Sequence, residues 1–197
     1  MGNYPGEEVL LWLQLKNGDR EAFAALYRMY SISLIAYGLK LCPDRDILKD
    51  QIQELFVELW HSRENLAATD SVKFYLFRAL RNKLIRQERV LRQGAVKWKD
   101  GLQGDFLEQP IEARIVEKEV EESNIASLKD AMKCLTLRQQ EVIQLRFYQG
   151  FSNQQIAELM DMNYQSVSNL LYKALNRLKE LIRIPVFAFL LLLSIFS

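Results

Sequence analysis

At 197 residues the chain can form one large or two small domains. Its hydrophobic content of 49% and charged content of 26% are those of an ordinary globular protein. The net charge is only +1, so overall basicity gives no argument for nucleic-acid binding and the local charge distribution must supply one. With one histidine, two distant cysteines and no Walker A or GxGxxG motif, nothing in the sequence indicates an enzyme, a cofactor or a metal site.

The two cysteines give information about the cellular compartment of the protein. Cys42 and Cys134 occupy apolar positions and lie too far apart in sequence to form a motif. Free cysteine is among the most buried residue types, and disulfides are rare in a reducing cytosol. We therefore expect two buried free thiols and a cytoplasmic protein.

Helical periodicity runs through the first half of the chain. A short helix is expected over Tyr4–Asn17, after which Gly18 should end it and Asp19 should cap the next helix. Apolar residues then keep a helical period up to Pro43, which predicts a helix of about six turns. Two further helices are expected, at Asp46–Trp60 and Ser71–Arg92.

The Asp46–Trp60 segment has two distinct sides. The apolar side should face the core, whereas the other carries an acidic stripe that the fold does not need: Asp50, Gln53, Glu54 and Glu58. An acidic helix face is usually just solvated. The stripe alone therefore does not indicate a binding surface.

The Ser71–Arg92 segment is basic and aromatic. From Lys73 to Lys99 there are nine Lys/Arg residues and a single acidic one. At 100° per residue, the arc opposite the leucines carries cationic and amide side chains, namely Arg78, Arg81, Asn82, Arg86, Arg89 and Arg92. Phe74 and Tyr75 flank this arc, and guanidinium groups beside aromatic rings suit single-stranded nucleic acid. The alternative is a basic helix whose long side chains extend over its own core.

A linker divides the chain. It contains several glycines and shows no sustained hydrophobic period, and it is acidic from Asp105 to Glu122. We expect an all-α fold of two small helical domains joined by this linker, with the second domain containing a helix-turn-helix. The expected boundaries are 1–92, 93–124 for the linker, 125–183 for the second domain, and 184–197 for an apolar C-terminal tail. The tail is short for a bilayer span, so burial, partner contact and an interfacial anchor all remain open.

The second domain carries three helix-start signals in close succession. They comprise two capping boxes and one single cap: Thr136 with Gln139, Ser152 with Gln155, and Asn163. Gly150 should end the first of these helices, and Asp161 occupies a turn position that needs a left-handed backbone. A short helix, a three-residue turn and a longer helix form the helix-turn-helix pattern.

The last helix is polar on one face. Its outward residues should be Gln165, Asn169, Tyr172, Lys173 and Asn176. Amides and hydroxyls can contact base edges in a major groove, and lysine can bind phosphate. The alternative is a small helical bundle with a solvated polar face.

Three sequence motifs follow one another along the chain, two before the linker and one after it. They are Asp50-Gln-Ile-Gln-Glu-Leu-Phe-Val-Glu-Leu-Trp60, Phe74-Tyr-Leu-Phe-Arg-Ala-Leu-Arg-Asn82 and Leu135-Thr-Leu-Arg-Gln-Gln-Glu-Val-Ile143. Together with the helix-turn-helix, they resemble a bacterial RNA polymerase sigma factor of the extracytoplasmic-function (ECF) group in the sigma-70 family. The resemblance covers about Asn17–Ile182, nearly the whole chain.

The resemblance implies a factor that binds core RNA polymerase and directs promoter-specific transcription initiation. The Asp46–Trp60 helix would dock on the clamp helices of the largest polymerase subunit, and the Ser71–Arg92 helix would help melt and hold the −10 element. The loop around Asn65–Asp70 would capture a flipped base. The helix-turn-helix would recognise the −35 element as duplex DNA. An anti-sigma factor, free or membrane-bound, is an open further partner.

The resemblance also assigns individual residues. The implied core-polymerase contacts are Asp50, Gln53, Glu54 and Glu58, the −10 contacts are Arg78, Arg81, Asn82, Arg86 and Arg89, and the −35 contacts are Gln165, Ser166, Asn169, Lys173 and Arg177. The last helix departs from the family pattern, since Asp161 replaces a turn glycine and Ser168–Leu170 replaces a Lys-Ser-Arg-like run. Fewer phosphate contacts should therefore come from this helix.

Two other functional classes are alternatives. A helix-turn-helix regulator of the two-component or quorum-sensing type would need a phosphorylation pocket or a ligand-binding α/β domain in the first hundred residues. Helices are expected there instead. A membrane-associated adaptor would use the apolar tail as its anchor.

Overall fold

The computed structural model describes residues 5–93 and 128–182, with residues 5 and 89–93 described by their backbone alone. Within these ranges every regular element is a helix and no strand occurs, which confirms the all-α fold class. The chain separates into two compact units, Met1–Asp100 and Gly101–Ser197. The predicted linker and the apolar tail lie outside the described residues, and the predicted domain boundaries stay a prediction.

The first unit contains four α-helices and one short 3₁₀ turn. The elements are α1 (Pro5–Lys16), α2 (Arg20–Gly38), α3 (Arg45–His61), the 3₁₀ turn Arg63–Asn65 and α4 (Val72–Gln93). Asp19 caps α2 and Asp44 caps α3, because each carboxylate accepts hydrogen bonds from two backbone N–H groups at the start of its helix. Ser71 accepts a hydrogen bond from the backbone N–H of Phe74 at the start of α4.

The second helix ends earlier than the apolar period predicts. It stops at Gly38 instead of running to Pro43, and the backbone N–H groups of Leu41 and Cys42 both donate to the Gly38 carbonyl in the turn that follows. A Cβ atom at Gly38 would lie 2.3 Å from Leu48 Cδ1 on α3. The glycine therefore permits the close approach of α2 and α3 that this turn produces.

Aromatic rings fill the space between the helices of the first unit. Phe56 on α3 meets Phe23 and Tyr27 of α2 edge-on, with ring centroids 6.0 and 4.9 Å apart. Tyr37 of α2 and Phe77 of α4 are fully buried with centroids 5.1 Å apart. Aromatic pairs in edge-to-face or offset geometry add about 0.5–1.5 kcal/mol each beyond burial of their area. The aromatic residues of α2 thus contribute mainly to core packing, although Tyr27 stays 45% exposed.

Within residues 128–182, the second unit has a helical segment followed by three helices. The helical segment, α5, is described over residues 128–133. It is followed by α6 (Leu137–Ile143), which continues as a π-helical turn (Gln144–Tyr148), then α7 (Asn153–Met160) and α8 (Tyr164–Ile182). Both predicted capping boxes are present, and the Asn163 side chain accepts a hydrogen bond from the backbone N–H of Ser166. All three predicted caps are confirmed.

The turns of this unit use the two residues expected to supply them. Asp161 has φ 55° and Gly150 has φ 70°. Asp161 joins α7 to α8 in a left-handed conformation that Asp tolerates better than most residues with a Cβ. The π turn before Gly150 is not predicted by the sequence, because apolar periodicity does not distinguish a single widened turn from α-helix.

One burial prediction is wrong. Cys42 is buried, but Cys134 is exposed. Cys134 lies in the turn after α5, where its backbone N–H bonds to the Ala131 carbonyl and the chain points its side chain away from the core. Among the residues that the structure describes, no helix has a stretch long and apolar enough to cross a membrane.

Candidate protein and nucleic-acid interfaces

The two sides of α3 separate as its sequence predicts. Its apolar side is buried against the neighbouring helices through Ile52, Leu55, Phe56 and Leu59. The four residues of the acidic stripe, Asp50, Gln53, Glu54 and Glu58, are all exposed. They form one continuous acidic and amide surface over two turns of helix.

The expectation that the fold does not need this stripe is wrong for two of its residues. Lys83 on α4 places its amino group 3.2 Å from Glu54 Oε2 and 2.8 Å from Glu58 Oε1. The Lys83 side chain is only 16% exposed, so the two carboxylates lie beside a cation whose side chain is largely covered by protein. Asp50 and Gln53 make no side-chain hydrogen bond or ion pair with any other described residue.

The structure adds an apolar element that the sequence analysis missed. Val57 is 45% exposed between the acidic residues of α3. It forms one wall of a shallow apolar groove of about 340 Å³, which Arg20, Phe23, Trp60 and His61 also line. The sequence feature that could have indicated this groove is a valine within the otherwise polar face of the helix. Charged residues beside an apolar groove are the composition of a protein-docking surface.

Over residues 72–88, α4 buries one apolar side and carries a basic arc on the opposite side. Leu76, Phe77, Leu80 and Leu84 are buried. On the opposite arc Arg78, Asn82 and Arg86 are exposed and Arg81 is half-buried. The side chain of Arg89 lies outside the described residues. The predicted basic arc is therefore present from Arg78 to Arg86, over about two and a half turns of the helix.

A groove of about 230 Å³ runs between α3 and α4 beside this arc. Its walls include Glu58, Ser62, Tyr75, Asn82 and Arg86. Burial, and then the nearby charge of Glu58, raise the pKa of Tyr75 above its ordinary value, so its hydroxyl stays protonated and can donate a hydrogen bond. The expected base-capturing loop, Asn65–Asp70, does not line this groove. The groove and the loop are therefore separate features of the first unit.

The exposed face of α8 matches the sequence prediction. Gln165, Asn169, Tyr172, Lys173, Asn176 and Arg177 are all exposed, and Ser166 is half-buried. Gln165 Nε2 donates to Asn169 Oδ1 over 3.3 Å, and Arg177 pairs with Glu180 at 3.3 Å. Asn153 Nδ2 on α7 donates to Ser168 Oγ over 3.3 Å and ties the two helices together.

Comparison with known proteins identifies both units. The model of sigma-70 region 2 matches residues 26–93, and that of sigma-70 region 4 matches residues 125–178. Two regions of one family thus cover most of the chain, in order. This chain belongs to the ECF group of the sigma-70 family.

Individual relatives agree with this assignment. The ECF RNA polymerase sigma factor SigX of Bacillus subtilis is 26% identical over 163 residues, which cover 81% of this chain and 83% of SigX. The RNA polymerase sigma-E factor of Streptomyces antibioticus is 25% identical over 166 residues, which cover 84% of this chain and 87% of the length of that sigma factor. The sigma factor RpoE, solved with the anti-sigma factor NepR from Bartonella quintana, shares the fold with a TM-score of 0.59 at 20% identity, covering 82% of this chain and 97% of RpoE.

As a sigma factor, the protein serves promoter-specific initiation of transcription. This sigma factor carries α3 and α4 within its region 2 match, and α6, α7 and most of α8 within its region 4 match. A two-component or quorum-sensing regulator is not favoured, since the first unit is helical throughout its described residues and matches sigma region 2.

Proposed function

We propose that this sigma factor docks on the clamp helices of core RNA polymerase through the outer face of α3. The contacts would be Asp50, Gln53, Glu54 and Glu58. The observation that supports this most directly is the exposure of all four residues beside the apolar groove at Val57. Exposed carboxylates attract a basic partner over distance, and the groove supplies apolar area for a stable contact.

We assign melted −10 DNA to α4. The residues are Arg78, Arg81, Asn82, Arg86 and Arg89. The exposed cations can bind phosphates along one strand, and the groove beside Asn82 and Arg86 carries an amide and a phenol that can hydrogen-bond an unpaired base. The loop Asn65–Asp70 would hold a flipped base, whose extraction from the duplex costs a few kcal/mol.

We assign the duplex −35 element to the exposed face of α8. The contacts would be Gln165, Ser166, Asn169, Lys173 and Arg177. The hydrogen bond between Gln165 and Asn169 aligns two amides one turn apart, and this arrangement suits adjacent base edges in a major groove. Lys173 would bind phosphate.

Further partners and the location follow from this assignment. The protein would act by binding, without covalent chemistry of its own, in the cytoplasm where polymerase and promoters are found. An anti-sigma factor would restrain it, as NepR accompanies RpoE in the solved complex. An anti-sigma factor that bound the exposed face of α3 would compete with core polymerase for the same surface.

Run-off transcription tests the function directly. The full chain is mixed with core RNA polymerase and a library of genomic fragments, and the transcripts are sequenced. We expect start sites that share −35 and −10 elements and that disappear without the protein. Transcripts with no shared upstream elements, or none above core polymerase alone, would refute the proposal.

A further inference from the structure

The indole of Trp12 links α1 to the loop that precedes α4. Its Nε1 donates a hydrogen bond to the Ala67 carbonyl oxygen at 3.1 Å, between residues 55 positions apart in sequence. The Trp12 side chain is 1% exposed. The ring also meets Tyr75 of α4 edge-on, with ring centroids 4.9 Å apart. One side chain thus contacts both the loop and the start of the following helix.

The rest of this loop is anchored in a way that leaves its side chains outward. Leu66 is buried at 7% exposure, and the Thr69 hydroxyl accepts a hydrogen bond from the Ser71 backbone N–H at 3.2 Å. Between these anchors, Ala67 and Ala68 are exposed. The bond from Trp12 is the long-range polar contact on this stretch among the described residues, so it fixes the loop backbone while its outer surface stays accessible.

We propose that Trp12 is a positioning residue for promoter opening, which holds the Asn65–Asp70 loop in the shape that accepts a flipped base. This inference rests on the proposed function of the loop. Base capture is more favourable when the pocket is already formed, because the cost of ordering a loop during capture opposes binding. The hydrogen bond from the Trp12 indole orders this loop when the protein folds. The loop therefore already has the base-accepting shape before DNA binds.

A hydrogen bond to a partly buried carbonyl has a measurable but limited effect. Losing it should slow promoter opening about fivefold to tenfold. Core binding through α3 and −35 binding through α8 do not involve this loop. They should therefore stay unchanged. A loss of rate that is confined to promoter opening would distinguish a positioning role of Trp12 from a general role in stabilising the fold.

The principal variant is Trp12→Phe, which keeps an aromatic ring against Tyr75 and removes the N–H donor. Replacement of Trp12 by benzothienylalanine removes the same donor with almost no change of shape, and it serves if the phenylalanine variant folds poorly. Leu10→Ala is the matched control, since Leu10 is exposed on the same helix. Opening is followed by 2-aminopurine fluorescence at −10 on a promoter from the run-off selection, with core and −35 affinities measured in parallel.

We expect both donor-free variants to open the promoter five to ten times more slowly and to discriminate less at the flipped base, while Leu10→Ala matches the unmodified protein. Equal opening rates and equal base preference in both donor-free variants would overturn the inference and leave the sigma function intact. Equal losses in core binding would also overturn it, because they indicate a purely structural role. If the unmodified protein opens no promoter, the proposed function itself fails.

Discussion

The amino group of Lys83 on α4 lies 2.8 Å from a carboxylate oxygen of Glu58 on α3. Glu54 approaches the same amine at 3.2 Å, so two carboxylates of the proposed polymerase-docking face also hold α3 to the DNA-facing helix. Part of this surface therefore serves the fold and the partner at once. Substitution of Glu54 or Glu58 should therefore change folding stability as well as docking.

Asp50→Lys is the variant that tests docking most cleanly. Asp50 is exposed and does not contact Lys83, so charge reversal should leave the fold alone and weaken binding to core polymerase about tenfold. Affinity is measured by fluorescence anisotropy at two salt concentrations, with circular dichroism as the folding check. Glu158→Lys, an equally exposed charge reversal on α7, is the control. Unaltered affinity of Asp50→Lys for core would refute the docking assignment.

Glu54→Lys should behave differently from Asp50→Lys. It would place a second amino group beside Lys83, where Glu54 now lies 3.2 Å away, and so it should lower the melting temperature as well as core affinity. A combined Glu54→Lys and Lys83→Glu variant restores one pair of opposite charges but leaves Glu58 beside a second carboxylate, so it should recover part of the stability without recovering core binding. Recovery of both would show that Glu54 acts only through Lys83.

The triple variant Arg78→Ala, Arg81→Ala and Asn82→Ala tests the DNA assignment of α4. Losing three contacts of roughly 1 kcal/mol each should reduce open complexes about a hundredfold, with a smaller effect on closed complexes. Permanganate footprinting measures the melting. The control replaces Arg28 and Arg45, which are exposed on α2 and at the start of α3. Normal melting in the triple variant would count against the assignment.

Lys40 gives the first unit a pH dependence of stability. Burial lowers the pKa of Lys40 to about 8, so between about pH 8 and its ordinary value near 10.5 the unfolded chain binds a proton that the folded chain does not. The Lys40 contribution to the free energy of unfolding therefore rises with pH in that window. Lys40→Met should be more stable than the unmodified protein at pH 7, and this advantage should shrink by pH 10.

Denaturant unfolding at pH 7, 8.5 and 10, followed by tryptophan fluorescence, measures this difference. Lys49→Met on the exposed side of α3 is the control and should show a pH-independent difference. A constant offset for Lys40→Met across the three pH values would contradict the prediction.

The sequence predicts best those features that depend on neighbouring residues. The Thr136–Gln139 and Ser152–Gln155 boxes form as expected, because a cap joins groups three positions apart and any context preserves it. The sides of α3 and α4 were likewise predictable, since helical period alone decides which face is apolar. The family resemblance then supplied roles that periodicity could not.

Contacts between distant residues were not predictable from the same signals. Nothing near Lys83 in sequence indicates that its partners are 25 and 29 positions away, and the Trp12–Ala67 bond spans 55 positions. These contacts depend on how α1, α3 and α4 pack. The early end of α2 also coincides with a tertiary contact, since a Cβ atom at Gly38 would lie 2.3 Å from Leu48 Cδ1 of α3. Base-contacting roles on α8 depend on a DNA partner and stay predictions.

The exposed face of α8 separates base recognition from phosphate binding. Gln165 and Asn169 carry amides, whereas Lys173 carries a charge whose effect on DNA is sequence-independent. Gln165→Ala and Asn169→Ala should each change the preferred −35 sequence, by about 1–3 kcal/mol at one position. Lys173→Ala should weaken all sites alike and reduce the salt slope by about one unit. Selection from randomised −35 DNA, followed by affinity measurements across salt, distinguishes the two behaviours.

The hydrogen bond between the two amides makes this prediction sharper. Gln165 Nε2 donates to Asn169 Oδ1 at 3.3 Å, so truncating either side chain frees the other to rotate. The effects of Gln165→Ala and Asn169→Ala should therefore not add, and the double variant should lose less discrimination than the sum of the single ones. Arg177→Ala is the comparison for Lys173, because Arg177 is paired with Glu180 and its removal should cost less phosphate affinity. If both amide variants select the unmodified −35 sequence, the base contacts of this sigma factor lie elsewhere on the helix.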